Sequence, residues 1–173
     1  RNPWHPDLTA GGSSGGEGSA IGSGMSPIGL GNDIGGSLRN PAFCCGIASL
    51  KPTHGRLPRF SSFDHDQNEP LAFQVMATDG PMARSVNDLW TGMAVLNGRD
   101  PRDPRSVTVA LEGPGTPRKA AILREVPGGP CDPWVLDGVN KAAEALANAG
   151  WEIEEVTPPE MERCQEVWGH LLA

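Results

Sequence analysis

The sequence predicts an α/β fold, and three observations carry that prediction. Residues 119 to 171 read strand, helix, strand, helix, an order that favours an α/β layer with a right-handed crossover. Ser85 to Leu96 begins with a capping pattern and continues at helical spacing. Residues 11 to 55 hold 13 of the chain's 23 glycines, and between them lie short apolar runs that fit strands and single helical turns.

Taken in order, residues 1 to 10 carry two prolines and are expected to be extended, because proline removes a donor and biases its predecessor away from helix. Gly15 to Gly24 is dominated by small residues, which permits a short, tightly packed helix opening at the GGSSGG turn. Ile28 to Leu30 reads as a short buried strand and Asp33 to Ser37 as a turn. Leu38 to Cys45 reads as a helical turn interrupted by Pro41, and Gly46 to Leu50 as another apolar strand. Pro52 to Pro81 is rich in Pro, Ser, Asp and His and reads as loop, with a strand at Leu71 to Ala77. Ser85 caps a helix carrying Leu89, Met93 and Leu96, with Asp88 in the capping-box position and Gly98 as its end. Residues 99 to 117 read as a linker and Lys119 to Leu123 as a strand. Asp132 and Pro133 form an N-cap and N1 pair for a helix with the apolar face Val135, Val139, Ala142, Leu146 and Ala149, closed by Gly150. Trp151 to Val156 is a strand, and Met161, Cys164, Val167, Trp168 and Leu171 line one side of the last helix. Trp90, Trp134, Trp151 and Trp168 are expected to pack in the core rather than to stack on a substrate.

The length of 173 residues suits one domain or a piece of one, and no internal repeat is visible. The organisation this suggests is a core at 1–56, a loop-rich region at 57–117 containing the helix at 85–97, and a βαβα segment at 118–173. With 14 basic against 21 acidic residues and no basic stripe, the chain gives no electrostatic reason to expect nucleic acid or an anionic membrane surface. The longest uncharged stretch, 18 to 32, is mostly Gly, Ser and Ala and lacks the apolar character of a membrane span or signal core. Cys44, Cys45, Cys131 and Cys164 have no metal-ligand spacing and read as thiols in a reducing cytoplasm. Both ends look cut: the chain starts at RNPWHPD without Met, and the final helix stops without a cap. A longer enzyme is therefore expected.

The chemistry is expected in the glycine-rich stretch. Phosphate cradles fail on motif: there is no G-x-x-x-x-G-K-[ST], and no G-x-G-x-x-G, the third position being Pro27 after Gly22 and Gly24 and Ile34 after Gly29 and Gly31. Ser37 follows Asp33-Ile34-Gly35-Gly36, a turn whose successive amides could converge on one oxygen. It lacks the G-x-S-x-G context, and His5, His54, His65 and His170 show no pairing with an acid. His54, after Pro52, reads as structural.

The run GGSSGGEGSAIGSGMSPIGLGNDIGGSLRNPAFCCGIASLKPTHGR resembles the amidase signature family, hydrolases that cleave amides with a Ser, cis-Ser, Lys triad. GPMARSVNDL and NAGWEIEEV extend the resemblance over most of the chain. It implies an amidase-signature-type fold, a mixed β-sheet core covered by helices, of which this chain would be a partial domain. It further implies that Ser37 is the nucleophile and Ser13 the bridging serine, with a cis peptide bond from Gly12. By the same resemblance the amides of Ile34, Gly35, Gly36 and Ser37 form an oxyanion hole, and Ser14, Asp33 and Arg39 brace the loops. A neutral lysine would take the nucleophile's proton through the second serine, since a serine hydroxyl is a poor nucleophile at neutral pH. The family's lysine lies upstream of GGSSGG. Lys51, Lys119 and Lys141 are poor substitutes, so residues 1–173 alone are expected to be inactive.

The reaction implied is hydrolysis of a small-molecule carboxylic amide to the acid and ammonia or an amine, with no cofactor or metal and no nucleic acid or membrane partner. The protein would be cytoplasmic, and a homodimer stays open. Phe60, Phe63 and Phe73 would line part of an acyl pocket. Two alternatives remain on the residues alone: a glutamine amidotransferase subunit, or a non-catalytic scaffold of the same fold.

Overall fold

Small side chains decide how the first half of the chain packs. The computed structural model describes residues 1–60, 70–124, 126 and 129–172, which form two compact units, Arg1–Gly113 and Pro114–Ala173. In the first, helix α1 (Gly15–Gly22) lies against helix α2 (Arg39–Cys45). A Cβ on Gly18 would stand 3.2 Å from Pro41 Cβ and 3.4 Å from Cys45 Sγ, so a side chain there would crowd the contact that a bare backbone leaves open. Pro41 does not interrupt α2 as expected. It is the third helical residue, where its missing N–H would have had no intrahelical partner.

Strand β1 (Ile28–Asp33) leads into the turn before α2, and β2 (Ala48–Ser49) follows it. Their common partner is β3 (Thr78–Ala83), so the sheet order is β1-β3-β2, antiparallel throughout, with Asp33 opposite Thr78 and Ile28 opposite Ala83. This central strand lies where the sequence reads as loop up to Pro81. Pro81 is tolerated because it serves as an acceptor, its carbonyl taking the Leu50 N–H at 3.1 Å. As an edge strand, β1 is more open than expected: Ile28 and Leu30 are both exposed.

Leu71–Met76 is helix α3, not the strand the apolar run suggested. Leu, Ala, Gln and Met are helix formers, and Pro70 at the N-cap starts the turn; a six-residue apolar run carries no periodicity that separates the two states. Helix α4 (Val86–Leu96) begins as read, with the Asp88 N–H donating to Ser85 Oγ at 3.2 Å and Ser85 Oγ donating to Asp88 Oδ2 at 2.7 Å. Ile21, Leu38 and Met82, all fully buried, form the centre of the core, with Ile47 against them.

The stretch after α4 is no linker. Asp103 and Ser106 are buried, and the Val107 N–H donates to Gly55 O at 2.9 Å, tying this turn to residues 55–59. A cleft of about 360 Å³ runs beside α4, lined by Leu50, Pro52, Val86, Leu89, Trp90 and Met93 among others, and none of the site residues borders it.

In the second unit β4 (Lys119–Ile122) and β5 (Glu152–Glu155) pair in parallel across helix α5 (Pro133–Asn148), the strand–helix–strand order read from the sequence. Asp132 caps α5 by accepting the Trp134 N–H at 2.9 Å. The covered face of α5 is Leu136, Val139, Ala143 and Leu146; Val135, Ala142 and Ala149 are exposed. Two apolar stripes overlap in this helix, and the expected face mixed them. In α6 (Met161–Leu172) Met161 and Trp168 are half-buried, while Cys164, Val167 and Leu171 are exposed. The tryptophans divide: Trp151 and Trp168 are half-buried, but Trp90 and Trp134 are exposed rather than in the core. Among the described residues no helix is long and apolar enough to cross a membrane.

Candidate active site

The site is built where β1 ends and α2 begins. Asp33, the last residue of β1, is fully buried, and its carboxylate organises the turn that follows. Oδ1 accepts the Gly36 N–H at 2.7 Å and Oδ2 the Leu38 N–H at 3.1 Å. Arg39 donates from Nε to Oδ2 and from Nη2 to Oδ1, both at 3.0 Å, the two-pronged geometry that suits a guanidinium and a carboxylate. Burial pushes the Asp33 carboxyl up, but the Arg39 hydrogen bonds, the two amides and the Arg39 charge outweigh it and hold the carboxyl down at about 2. Asp33 is therefore a carboxylate at neutral pH. Its charge is spent on the turn.

Ser37 sits half-buried at the end of this turn, one residue before the fully buried Leu38. Of the four amides expected to hold an oxyanion, that of Gly36 is already bonded to Asp33. Among the described residues the amides of Ile34, Gly35 and Ser37 meet no acceptor, so three donors remain free for an oxygen anion.

The second serine loop precedes α1. The peptide bond from Gly12 to Ser13 is cis, as the resemblance implied, and Ser13 is exposed. Ser14 braces the two loops: its N–H donates to Ser37 O at 3.2 Å, and its hydroxyl accepts the Asn32 N–H at 3.3 Å and lies 3.4 Å from Asn32 O. Residues that sequence reasoning missed complete the frame. Asn40 Oδ1 accepts the Gly12 N–H at 3.1 Å, and Asn32 Nδ2 donates to Asp79 Oδ1 at 2.6 Å across β1 and β3. Arg84 Nη1 donates to Ile21 O and Ser26 O, both at 3.1 Å, tying down the end of α1. Asn40 carried one signal, its place between Arg39 and Pro41, and Arg84 another, its place in GPMARSVNDL; Asn32 and Asp79 depend on strand pairing and carried none.

Other expected groups are engaged elsewhere. His54 Nε2 lies 3.0 Å from Gln74 O, a structural contact, and His65 and Phe63 fall outside the described residues. Phe60 lies beneath the Arg102 guanidinium, 4.7 Å from its ring centre, and Phe73 is exposed. Lys51 Nζ reaches Thr78 Oγ1 at 3.4 Å, Lys119 pairs with Glu152 at 2.8 Å and Lys141 with Asp137 at 2.7 Å. The four cysteines are free thiols, and burial pushes the Cys45 thiol up.

The family model described as Amidase matches residues 1–172. An indoleacetamide hydrolase of Bradyrhizobium diazoefficiens is 42% identical over 169 residues, covering 96% of this chain and 32% of that protein. A glutamyl-tRNA(Gln) amidotransferase subunit of Thermus thermophilus is 37% identical over 167 residues, with 93% and 34% covered. Among solved structures, a bacterial aryl acylamidase of the amidase signature enzymes superposes with a TM-score of 0.79 at 30% identity, covering 99% of this chain and 36% of that one. The chain spans about a third of the length of the curated relatives it matches.

Proposed function

The chain belongs to the amidase family, and on that premise we propose that the whole protein hydrolyses small-molecule carboxylic amides through an acyl-enzyme on Ser37. The observation that carries this reading is the Ser14 N–H bond to Ser37 O at 3.2 Å, which seats the loop of Ser13 against the loop of the nucleophile. Ser37 Oγ attacks the amide carbon while its proton passes to Ser13, and Ser13 returns a proton to the nitrogen as the C–N bond breaks. Water then hydrolyses the Ser37 ester, releasing the acid. The developing oxyanion is held by the amides of Ile34, Gly35 and Ser37, with Gly36 spent on shaping the turn. By the family resemblance the final base would be a lysine; Lys51, Lys119 and Lys141 each contact other groups in this structure. Both compact units belong to one amidase signature domain in this reading, and the free thiols favour the cytoplasm.

The similarity to an indoleacetamide hydrolase makes indoleacetamide the first substrate to try. In the full-length protein a fluorophosphonate should label Ser37, and Ser37→Ala should abolish labelling and lower amide turnover by at least about a thousandfold. A folded protein that is neither labelled nor active supports the scaffold reading instead. The similarity to a component of an amidotransferase favours a second reading, in which glutamine is the amide and ammonia passes to a partner. Copurified partner proteins and a preference for glutamine over indoleacetamide would select it.

A further inference from the structure

Ser13 is bracketed. The residue after it, Ser14, donates its N–H to Ser37 O at 3.2 Å, and the residue before it, Gly12, donates its N–H to Asn40 Oδ1 at 3.1 Å. Both acceptors belong to the nucleophile's own segment, 37–40, so the bridging serine is held on each side by the element that carries its partner. The first bond is between backbones and any sequence can make it. The second depends on one side chain.

The Asn40 backbone is in turn held in place. It is the second residue of α2, its N–H donates to Gly36 O at 2.7 Å, and Pro41 follows it into the buried side of the helix. The chain approaches the carboxamide as closely as it can. Gly11, at φ 75°, has no side chain, and a Cβ there would stand 2.5 Å from Asn40 Oδ1 and 3.0 Å from Pro41 Cα. A residue with a side chain at 11 would part the loop from this acceptor, by displacing either the loop or the carboxamide. Gly11 and Asn40 are thus matched: one clears the space that the other's oxygen fills.

We propose that Asn40 is a positioning residue for the amidase reaction, fixing the Gly12–Ser13 peptide on the nucleophile helix so that the Ser13 hydroxyl meets Ser37. The inference rests on Ser13 acting as the proton relay. Asn40 acts through Ser13, touches no reacting atom in this role, and sets how often the relay is in line. A displaced relay slows proton transfer without changing the amides that hold the substrate carbonyl. The effect therefore falls on kcat.

The test uses the full-length enzyme with Asn40→Leu, Asn40→Asp and Ser13→Ala, alone and combined. Asn40→Leu removes the acceptor, and kcat should fall about tenfold with KM within about twofold. Asn40→Asp keeps an oxygen at the same reach and should recover most of that loss at pH values where it is ionised. In the Ser13→Ala background Asn40→Leu should cost no further activity, because its only route to the chemistry is gone. Losses that multiply independently would overturn the proposal, as would Asn40→Leu with wild-type kcat, or a loss confined to KM. Should Asn40→Leu fail to fold, Asn40→Asp and Gly11→Ala decide: Gly11→Ala should lower kcat in the wild type and not in Ser13→Ala. If the wild-type protein is not labelled at Ser37, the amidase reading itself fails, an outcome separate from all of these.

Discussion

Asp33 and Asp103 are two buried carboxylates built from the same parts and put to different uses. Each accepts two backbone amides and lies beside an arginine: Gly36, Leu38 and Arg39 for Asp33, Arg59, Arg105 and the Arg105 side chain for Asp103. The partners of Asp33 all lie within six residues of it, so the carboxylate closes a local turn and dictates which way its amides point. Asp103 reaches 44 residues back to the Arg59 N–H at 2.8 Å, so it staples a distant stretch of chain to its own turn. A buried, fully bonded aspartate is thus a device for holding backbone, and what that backbone carries decides whether it matters for chemistry.

The largest effect expected separates the two by function. In the full-length enzyme Asp33→Ala should cost about 3 kcal/mol of stability, because two amides lose their acceptor and Arg39 its partner. If, as proposed, the amides of Ile34, Gly35 and Ser37 hold the oxyanion, the substitution should also lower kcat/KM by at least about a hundredfold as they lose their alignment. Asp103→Ala should cost about 2 kcal/mol by the same loss of acceptors while leaving kcat within about twofold. Urea denaturation and steady-state kinetics on the two variants read both quantities. An Asp103→Ala enzyme that loses activity as Asp33→Ala does would erase the distinction.

A somewhat smaller effect appears in acid. A carboxylate whose folded pKa lies below its unfolded value of about 4 stabilises the fold above that pH, and the contribution is lost as pH falls through the folded value. For Asp33, held at about 2, this amounts to roughly 2 kcal/mol present at neutral pH and lost between about pH 4 and pH 2. Burial pushes the Asp103 carboxyl up, yet the Arg59 and Arg105 amides and the Arg105 side chain leave it lowered overall, so it adds to the same acid limb. Its arginine contact is longer, 3.4 Å against 3.0 Å, so its share should be smaller. Urea midpoints measured from pH 5 down to pH 2.5 should flatten more in Asp33→Asn than in Asp103→Asn; the reverse order would contradict the ranking.

How much of this was legible in the sequence follows the same division between local and distant bonds. The turn from Asp33 to Ser37, the α4 cap at Ser85 and the α5 cap at Asp132 were readable, because each is a bond between neighbours with a residue pattern of its own. The motif also pointed to Asp33 with Arg39, and to Ser14 as a brace. The central strand β3 was not readable, since Gly80 and Pro81 look like loop and only their pairing with β1 and β2 makes them sheet. Asp103 was hidden in an apparent linker for the same reason: its partner Arg59 N–H lies far away in sequence. Asn40 stood in view inside the motif, but nothing in its neighbours says that its oxygen meets Gly12. The face of α5 was misread because two apolar stripes overlap, and only the strands beneath choose between them.

The smallest effect tests whether the arginines or the amides do the holding. Arg39 grips Asp33 with two bonds at 3.0 Å while its side chain is 59% exposed; Arg105 touches Asp103 once, at 3.4 Å. Lysine keeps the charge but offers a single point of contact in place of a planar fork. Because Arg39 is largely in water, the ion pair itself is worth less than about 1 kcal/mol, and Arg39→Lys should cost no more than that. Activity should tell them apart more clearly than stability. Arg39→Lys loosens Oδ1, the oxygen that also fixes the Gly36 amide, so kcat should fall severalfold, whereas Arg105→Lys should leave it unchanged. Equal, negligible effects on kcat would mean that the two amides alone hold the turn and that the arginine serves only to neutralise the buried charge.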